Sequence, residues 1–265
     1  MPTQLKRYLS KYARIPLAQD LGSLCRRYLR WMENHNYDLA TNGERYVLER
    51  LRNSGMKTLF DVGANLGTWT SMARGILPDA EVHCFEIVPE IAVKLSVMTR
   101  SDSGITVNQF GLGDAERDAV VKFYPESPGL SSLVDYPHPH AARTVAARIR
   151  RGDWYCREKS IEQVDFLKID VEGAEELVLQ GFADMLDRHR IVIIQFEYGR
   201  ANILQHFLLY DAYQLLTGHG FIVGKLYPDG VDFLPYSFDR EDFLGPNYLA
   251  VQESRPDLIA RLRSH

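Results

Sequence analysis

From residue 57 onward, short apolar runs alternate with amphipathic stretches, and this alternation restricts the chain more than any other feature. Residues 57–62 (KTLFDV), 81–86 (EVHCFE), 105–110, 165–171 (DFLKIDV) and 191–197 (IVIIQFE) read as strands. Residues 67–77, a stretch opened by Pro89, and 174–188 read as the helices between them. Strands separated by single helices need crossover connections, which force a parallel sheet covered on both faces. The expected fold class is α/β, doubly wound and Rossmann-like. The rhythm changes after a helix around 203–216. Residues 220–227, a PDG turn at 228–230 and the segment 248–251 follow with no helix between them. The last strand is therefore expected to run antiparallel, at or near the sheet edge.

The 265 residues suit a single sheet domain over 44–253, preceded by a helical extension over 1–43 and followed by a tail over 254–265. The extension is basic: Lys6, Arg7, Lys11, Arg14, Arg26, Arg27 and Arg30 stand against Asp20 and Glu33. Leu21, Leu24, Tyr28, Trp31 and Met32 recur at helical spacing. A lid, a homodimer contact and a membrane-surface helix all fit this pattern. The least regular region, 125–158, reads as a lid insertion, with 141–151 as a basic, alanine-rich helix. A net charge of −4 gives no reason to expect nucleic acid as a partner. Three cysteines without a CxxC pair fit reduced thiols and a cytoplasmic protein. No run approaches the ~20 apolar residues of a spanning helix.

The densest chemical signal is FDVGANLGTWT at 60–70, where a strand turns into a helix. Asp61, Gly63, Asn65, Gly67 and Thr68 are the candidate cofactor-loop residues: glycines permit the tight turn and a close ligand. The spacing is GxxxG, so the dinucleotide fingerprint GxGxxG is absent. Glu86 ends the next strand, where a carboxylate can accept from two ribose hydroxyls. Gly113 and Asp114, in GLGD, follow the third strand and suit an adenine edge. Together these predict an adenosine-type cofactor.

In LKIDVEGAE (167–175), Lys168 and Asp170 share one strand face, and Glu172 falls at the carboxyl end. A Lys and an Asp inside an apolar run are costly unless paired or used. Glu197 ends the following strand and points to the same crevice, with Tyr198 beside it.

DVGANLG, FEIVPE, LGD, NYLAV and, most specifically, FLKIDVEGAEELVLQG (166–181) resemble the FkbM-type family of S-adenosylmethionine-dependent methyltransferases over about 44–252. The resemblance implies a seven-stranded class I methyltransferase sheet and methyl transfer to a hydroxyl of a sugar, glycan or natural product. The family's usual Leu-Asp-Asp-like connection ahead of the KIDVEGAE strand is replaced here by the basic stretch 138–157.

In this reading Glu172 or Asp170 takes the acceptor's proton and Lys168 sets its charge and orientation, with Glu197 in the same cluster. Asp170 also borders the cofactor. A Mg²⁺ ion between Asp170 and Glu197 is the second choice. His138, His140, Arg143 and Tyr198 are candidate substrate contacts. An NAD-dependent oxidoreductase would share the sheet but wants GxGxxG and a second lobe. A scaffold that binds cofactor without turnover is the other alternative. Ser131 and Ser132 form no GxSxG elbow, which leaves hydrolase chemistry without support.

Overall fold

A computed structural model describes residues 3–133, 139–244 and 247–264. The chain opens with two helices, α1 (Thr3–Tyr12) and α2 (Pro16–Met32), and α3 (Glu44–Arg50) leads into the sheet. The first wound half runs β1 (Thr58–Val62), α4 (Thr68–Ile76), β2 (Glu81–Phe85), α5 (Pro89–Thr99) and β3 (Ile105–Asn108). Next come β4 (Gly111–Leu112), β5 (Arg117–Phe123), β6 (Arg143–Arg150) and α6 (Gly152–Glu158). The second half is β7 (Val164–Ile169), α7 (Glu175–Gly181), α8 (Ala183–Asp187), β8 (Ile191–Glu197), α9 (Asn202–Gln205) and α10 (Leu209–Gly218). It closes with β9 (Phe221–Tyr227), β10 (Gly230–Asp232), β11 (Asn247–Gln252) and α11 (Pro256–Leu262).

The main sheet has the order β10-β9-β11-β8-β7-β1-β2-β3. Strands β3, β2, β1, β7 and β8 pair in parallel, whereas β11 is antiparallel to both β8 and β9. Seven strands form the expected sheet, and the short β10 adds an eighth as a hairpin on β9. The antiparallel direction of β11 agrees with the sequence reading. The strand is near the edge but not at it: β11 lies third in the sheet, behind β9 and the short β10, and all six of its residues are buried. An edge strand would leave one row of backbone groups to solvent, and NYLAVQ pairs on both sides instead.

Apolar side chains of successive strand residues go to opposite faces, and both faces are covered. Phe60, Phe85, Phe182 and Phe196 pack on one side. Leu59, Val82, Phe166 and Ile193 pack on the other with Trp69 from α4. This two-sided burial is why the strands read as continuous apolar runs rather than alternating ones.

Three expectations are corrected. Residues 143–150 are the strand β6, not a helix, paired antiparallel with β5 in a small sheet of order β4-β6-β5. Ala147 and Ile149 are buried and Val145 half-buried, a period of two that the Ala and Arg propensities masked. The helix expected over 174–188 divides at Phe182, which leaves helical geometry and enters the core. The helix expected over 203–216 divides at His206, whose φ is +57°.

Candidate active site

The site begins where β1 ends. The N–H groups of Gly63 and Ala64 both donate to the Phe85 carbonyl, at 2.9 and 3.1 Å, which ties the loop to β2. Gly63 has φ +82°, and a Cβ there would lie 1.8 Å from the Asp170 carbonyl oxygen. Only glycine allows the β1 and β7 ends to approach so closely. Asn65 follows with φ +47° and donates its N–H to Glu86 Oε2 at 2.8 Å. The other Glu86 oxygen accepts from the Val88 N–H at 2.8 Å. Glu86 is thus held between the two strand-end loops, and burial raises its pKa.

Beneath this loop lies a charged layer. Asp61 and Lys168 are register partners on β1 and β7. Lys168 Nζ is 3.3 Å from Asp61 Oδ1 and 3.0 Å from Asp170 Oδ2, and Thr70 donates to Asp61 Oδ2 at 2.6 Å. Burial works against the ammonium charge, but Asp170, Asp61 and Glu44 outweigh it and raise the Lys168 pKa. Lys168 is therefore a fixed cation.

At the carboxyl ends of β7 and β8, one oxygen each from Asp170, Glu172 and Glu197 lies within 4.8 Å of the others. Glu172 has φ +55°, a left-handed conformation that re-aims its side chain as the strand turns toward α7. Burial, then Asp170 and Glu175, push the Glu172 carboxyl up to about 8. Burial, with Asp170, Glu172 and Glu175 beside it, pushes Glu197 well above the usual carboxylate range. Glu175, raised to about 7 mainly by burial, accepts from the Val171 and Gly173 N–H groups and from Asn202 Nδ2. Its oxygens are occupied in holding the β7–α7 turn.

Two cavities meet at these carboxylates. A tight cleft of about 50 Å³ is lined by Glu86, Ile87, Leu112 and by Pro128 and Gly129 of the short turn Pro128–Leu130. A larger cavity of about 820 Å³ is lined by Arg30, Tyr37, Glu44, Arg200, Phe243 and Asn247 among others. Gly63, Asn65, Pro128, Gly129, Asp170 and Glu172 line both. Ser132 Oγ donates to the Glu172 carbonyl at 2.7 Å, so the segment after the turn is pinned to the same junction.

Not every expected residue is there. Asp61 is fully buried below the cavities and serves as anchor for Lys168. Gly67, at φ +77°, begins α4 and packs on Leu95, where a Cβ would meet Cδ1 at 2.5 Å. Thr68 lines the large cavity. Gly113 donates to the Arg150 carbonyl, and Asp114 pairs with Arg117 at 2.5 Å. These two follow β4 and bond to the ends of β6 and β5, while Gly111 and Leu112 of β4 line the cleft. The Tyr198 hydroxyl is turned away to Glu241 at 2.5 Å. Arg143 pairs with Glu90 and lies over the Phe123 ring, and His140 approaches Glu126 at 3.8 Å. His138 lies outside the described residues.

The residues missed by sequence are those of the large cavity. Glu44 is a buried acid that accepts from Asn42, Gln195 and Asn247. Burial raises its pKa, against Lys168 and the hydrogen bonds. Arg200 sits three residues beyond β8, where the strand-end rule would have found it. Arg30, His35 and Tyr37 arrive from the extension and carry no motif.

A glycine turn, an acidic second strand end and a crevice at the carboxyl ends of parallel strands define a doubly wound domain built for a nucleoside-type cofactor. The sequence profile described as the methyltransferase FkbM domain matches residues 61–223, and the chain belongs to that family. Over 145 residues it is 30% identical to "Methyltransferase 1" of Beauveria bassiana, covering 48% of this chain and 58% of that protein. It is 24% identical to "2-O-methyltransferase NoeI" of Sinorhizobium fredii, covering 52% and 62% respectively. It is 29% identical to "31-O-demethyl-FK506 methyltransferase FkbM" of Streptomyces tacrolimicus, covering 62% and 72%. The match to the first of these relatives thus spans little more than half of its length.

Proposed function

We propose that the chain transfers a methyl group from S-adenosylmethionine to a hydroxyl of a small acceptor, such as a sugar, a glycan or a natural product. The observation that carries this reading is the junction. Asp170 and Glu172 line both cavities, so a donor in the cleft and an acceptor in the larger cavity would meet at their carboxylates. The names of two relatives, the 2-O-methyltransferase and the 31-O-demethyl-FK506 methyltransferase, point to oxygen as the methylated atom.

The residues present fit such a donor. Asn65 Oδ1 is buried without a hydrogen-bond partner and belongs to a loop that lines both cavities, a place for a ligand's ammonium or hydroxyl donor. Glu86 stands where a ribose would lie, and its acceptor lone pairs exceed the two N–H groups it now takes. The cleft as it stands is smaller than the ~300 Å³ of ordinary ligand sites, so the Pro128–Leu130 turn has to shift to admit a nucleoside.

When bound, S-adenosylmethionine supplies an already activated methyl on a sulfonium sulfur. The protein's part is alignment and proton removal. Transfer of that methyl would exchange the S–CH3 bond for an O–CH3 bond, and Glu172 would take the hydroxyl proton. Lys168 pairs with Asp170 at 3.0 Å and so fixes that side chain in place beside Glu172. A second reading rests on the proximity of three carboxylate oxygens: Asp170, Glu172 and Glu197 would hold a hard divalent cation such as Mg²⁺, which would acidify the acceptor.

The experiment is incubation with methyl-labelled cofactor and a panel of sugars, nucleotide sugars and polyketide-like alcohols, read by mass. Label on hydroxyl acceptors is expected; label on amines or thiols alone would overturn the O-methyl assignment. Full turnover in excess EDTA would dismiss the cation.

A further inference from the structure

Helix α2 presents an apolar face that nothing in the described structure covers. It spans Pro16–Met32, 17 residues or about 25 Å, and none of them is buried. Leu17, Leu21, Leu24, Tyr28 and Trp31 follow one another at steps of four and three, and Cys25 and Met32 widen the stripe on one side. Leu17 and Trp31, at its two ends, are 77% and 79% exposed. Arg26 and Arg30 lie on the opposite side, and Arg30 reaches the large cavity. The apolar stripe is therefore turned away from the body of the protein.

Charge selects the occupant. Residues 3–32 carry seven basic side chains against the single acid Asp20, in a chain whose net charge is −4. We infer that α1 and α2 form an in-plane anchor for a bilayer surface bearing anionic lipids, with the α2 stripe in the acyl boundary and the basic residues among the headgroups. A broad Leu/Trp/Tyr face opposite arginines is the arrangement such helices need. The helix lies on the surface and does not cross it, because no helix of the described residues is long and apolar enough to span a membrane.

A second copy of the chain fits the same face less well. The four–three steps cover two heptads, short of the three to four that mark a coiled coil. The positions flanking the seam hold Ala18, Cys25 and Met32 on one side and Asp20 and Arg27 on the other, so interchain ion pairs are scarce. Pairing would also leave the basic excess without a counterpart. A bilayer uses both faces of the helix.

The anchor has a consequence for substrate. Arg30 lines the large cavity from the side opposite the stripe, which puts the cavity rim about one helix diameter, ~10 Å, from the bilayer surface. An acceptor hydroxyl carried on a lipid headgroup or a lipid-linked glycan would reach it. That consequence rests on the acceptor cavity proposed above, whereas membrane binding does not.

The full chain is tested by flotation with vesicles of phosphatidylcholine alone and with an added fraction of phosphatidylglycerol, without cofactor or acceptor. Binding to the anionic vesicles is expected to exceed neutral ones at least about tenfold and to weaken with salt. Trp31 emission should shift to the blue on binding, since Trp69 is already buried and Trp154 is half-buried against Phe110 in the body of the protein. A Leu21→Glu/Leu24→Glu variant, altered where nothing packs, should lose binding and the shift while keeping the circular dichroism and melting of the parent. Equal flotation of that variant, or no flotation of the parent, would overturn the anchor. So would a micromolar dimer in sedimentation that the same variant dissolves.

Discussion

The cleft and the large cavity share one wall, but the chain builds them in different ways. The cleft comes from short runs at successive strand ends: 62–65, 85–87, 111–112 and 170–174, with 128–133 as its cover. The large cavity gathers Arg30, His35, Tyr37 and Glu44 from ahead of the sheet, Arg200 and Phe243 from connections beyond β8, and Asn247 from the start of β11. A doubly wound sheet fixes its carboxyl-end crevice by topology alone, so whatever binds there depends on a few positions. The far wall has no such constraint and is free to differ from one relative to another. If the difference is one of function, variants should sort into three groups: those that stop transfer, those that weaken the cofactor and those that weaken the acceptor.

The largest effect belongs to the shared wall. Glu172→Gln keeps the size of the side chain but removes the proton acceptor proposed above. Turnover is expected to fall by ~10²–10⁴, the usual contribution of a general base, while the cofactor Kd stays within about twofold. Unchanged turnover would remove Glu172 as the base. A loss confined to cofactor affinity would move it to the cleft side.

Glu86→Ala attacks the cleft alone. It removes the carboxylate proposed to take the ribose and releases the Asn65 and Val88 N–H groups that Glu86 now holds. Calorimetry should show a cofactor Kd higher by ~10–100-fold, in line with lost hydrogen bonds to a charged group, with the acceptor KM unchanged at saturating cofactor. Equal losses on both sides would erase the distinction between the cavities.

The same contrast decides what could be read without coordinates. The β1 turn, Glu86 and KIDVEGAE lie within runs of a few residues, so local spacing is enough to place Gly63, Asn65, Lys168, Asp170 and Glu172 at strand ends. The GLGD spacing points to Gly113 and Asp114, whereas the cleft is lined two residues earlier by Gly111 and Leu112, because β4 begins at Gly111. The β6 strand was hidden because RTVAARIR carries its period of two on small and long polar side chains that also suit a helix. The buried position of β11 depends on pairing with β8 and β9, roughly 50 and 25 residues away, a long-range fact that alternation cannot report. Glu44 stands in the first turn of α3, where an acidic residue carries no local signal of a buried site. Its partners Gln195 and Asn247 are 151 and 203 residues distant.

Arg200→Ala tests the far wall. Its exposed guanidinium lines the large cavity and not the cleft. The acceptor KM should rise by up to about tenfold, most for acceptors carrying a phosphate or carboxylate, with cofactor Kd and the turnover at saturation retained. A shift in the cofactor Kd instead would show that the donor extends into the large cavity.

The smallest effect should spare both cavities. His83 lies on β2, its Nδ1 2.8 Å from the Tyr155 hydroxyl, with its ring packed near Phe60. Burial lowers its pKa from the ordinary 6.5, Lys159 adding to the effect against Glu81. A histidine with a depressed folded pKa takes up its proton more readily in the unfolded chain. Its contribution to stability is therefore complete above pH 6.5 and is lost as the pH falls below that value. Unfolding free energies from denaturant titrations should decline from pH 7 to 5 more steeply in the parent than in His83→Gln, by no more than about 1.4 kcal/mol per pH unit. The Tyr155 hydroxyl keeps a donor in Asn108 Nδ2 at 3.2 Å, so the variant loses the titration without orphaning its partner. Because His83 lines neither cavity, cofactor and acceptor constants at pH 7 should match the parent. A change in either would mean that the aromatic layer under β2 sets the position of the strand end that carries Glu86.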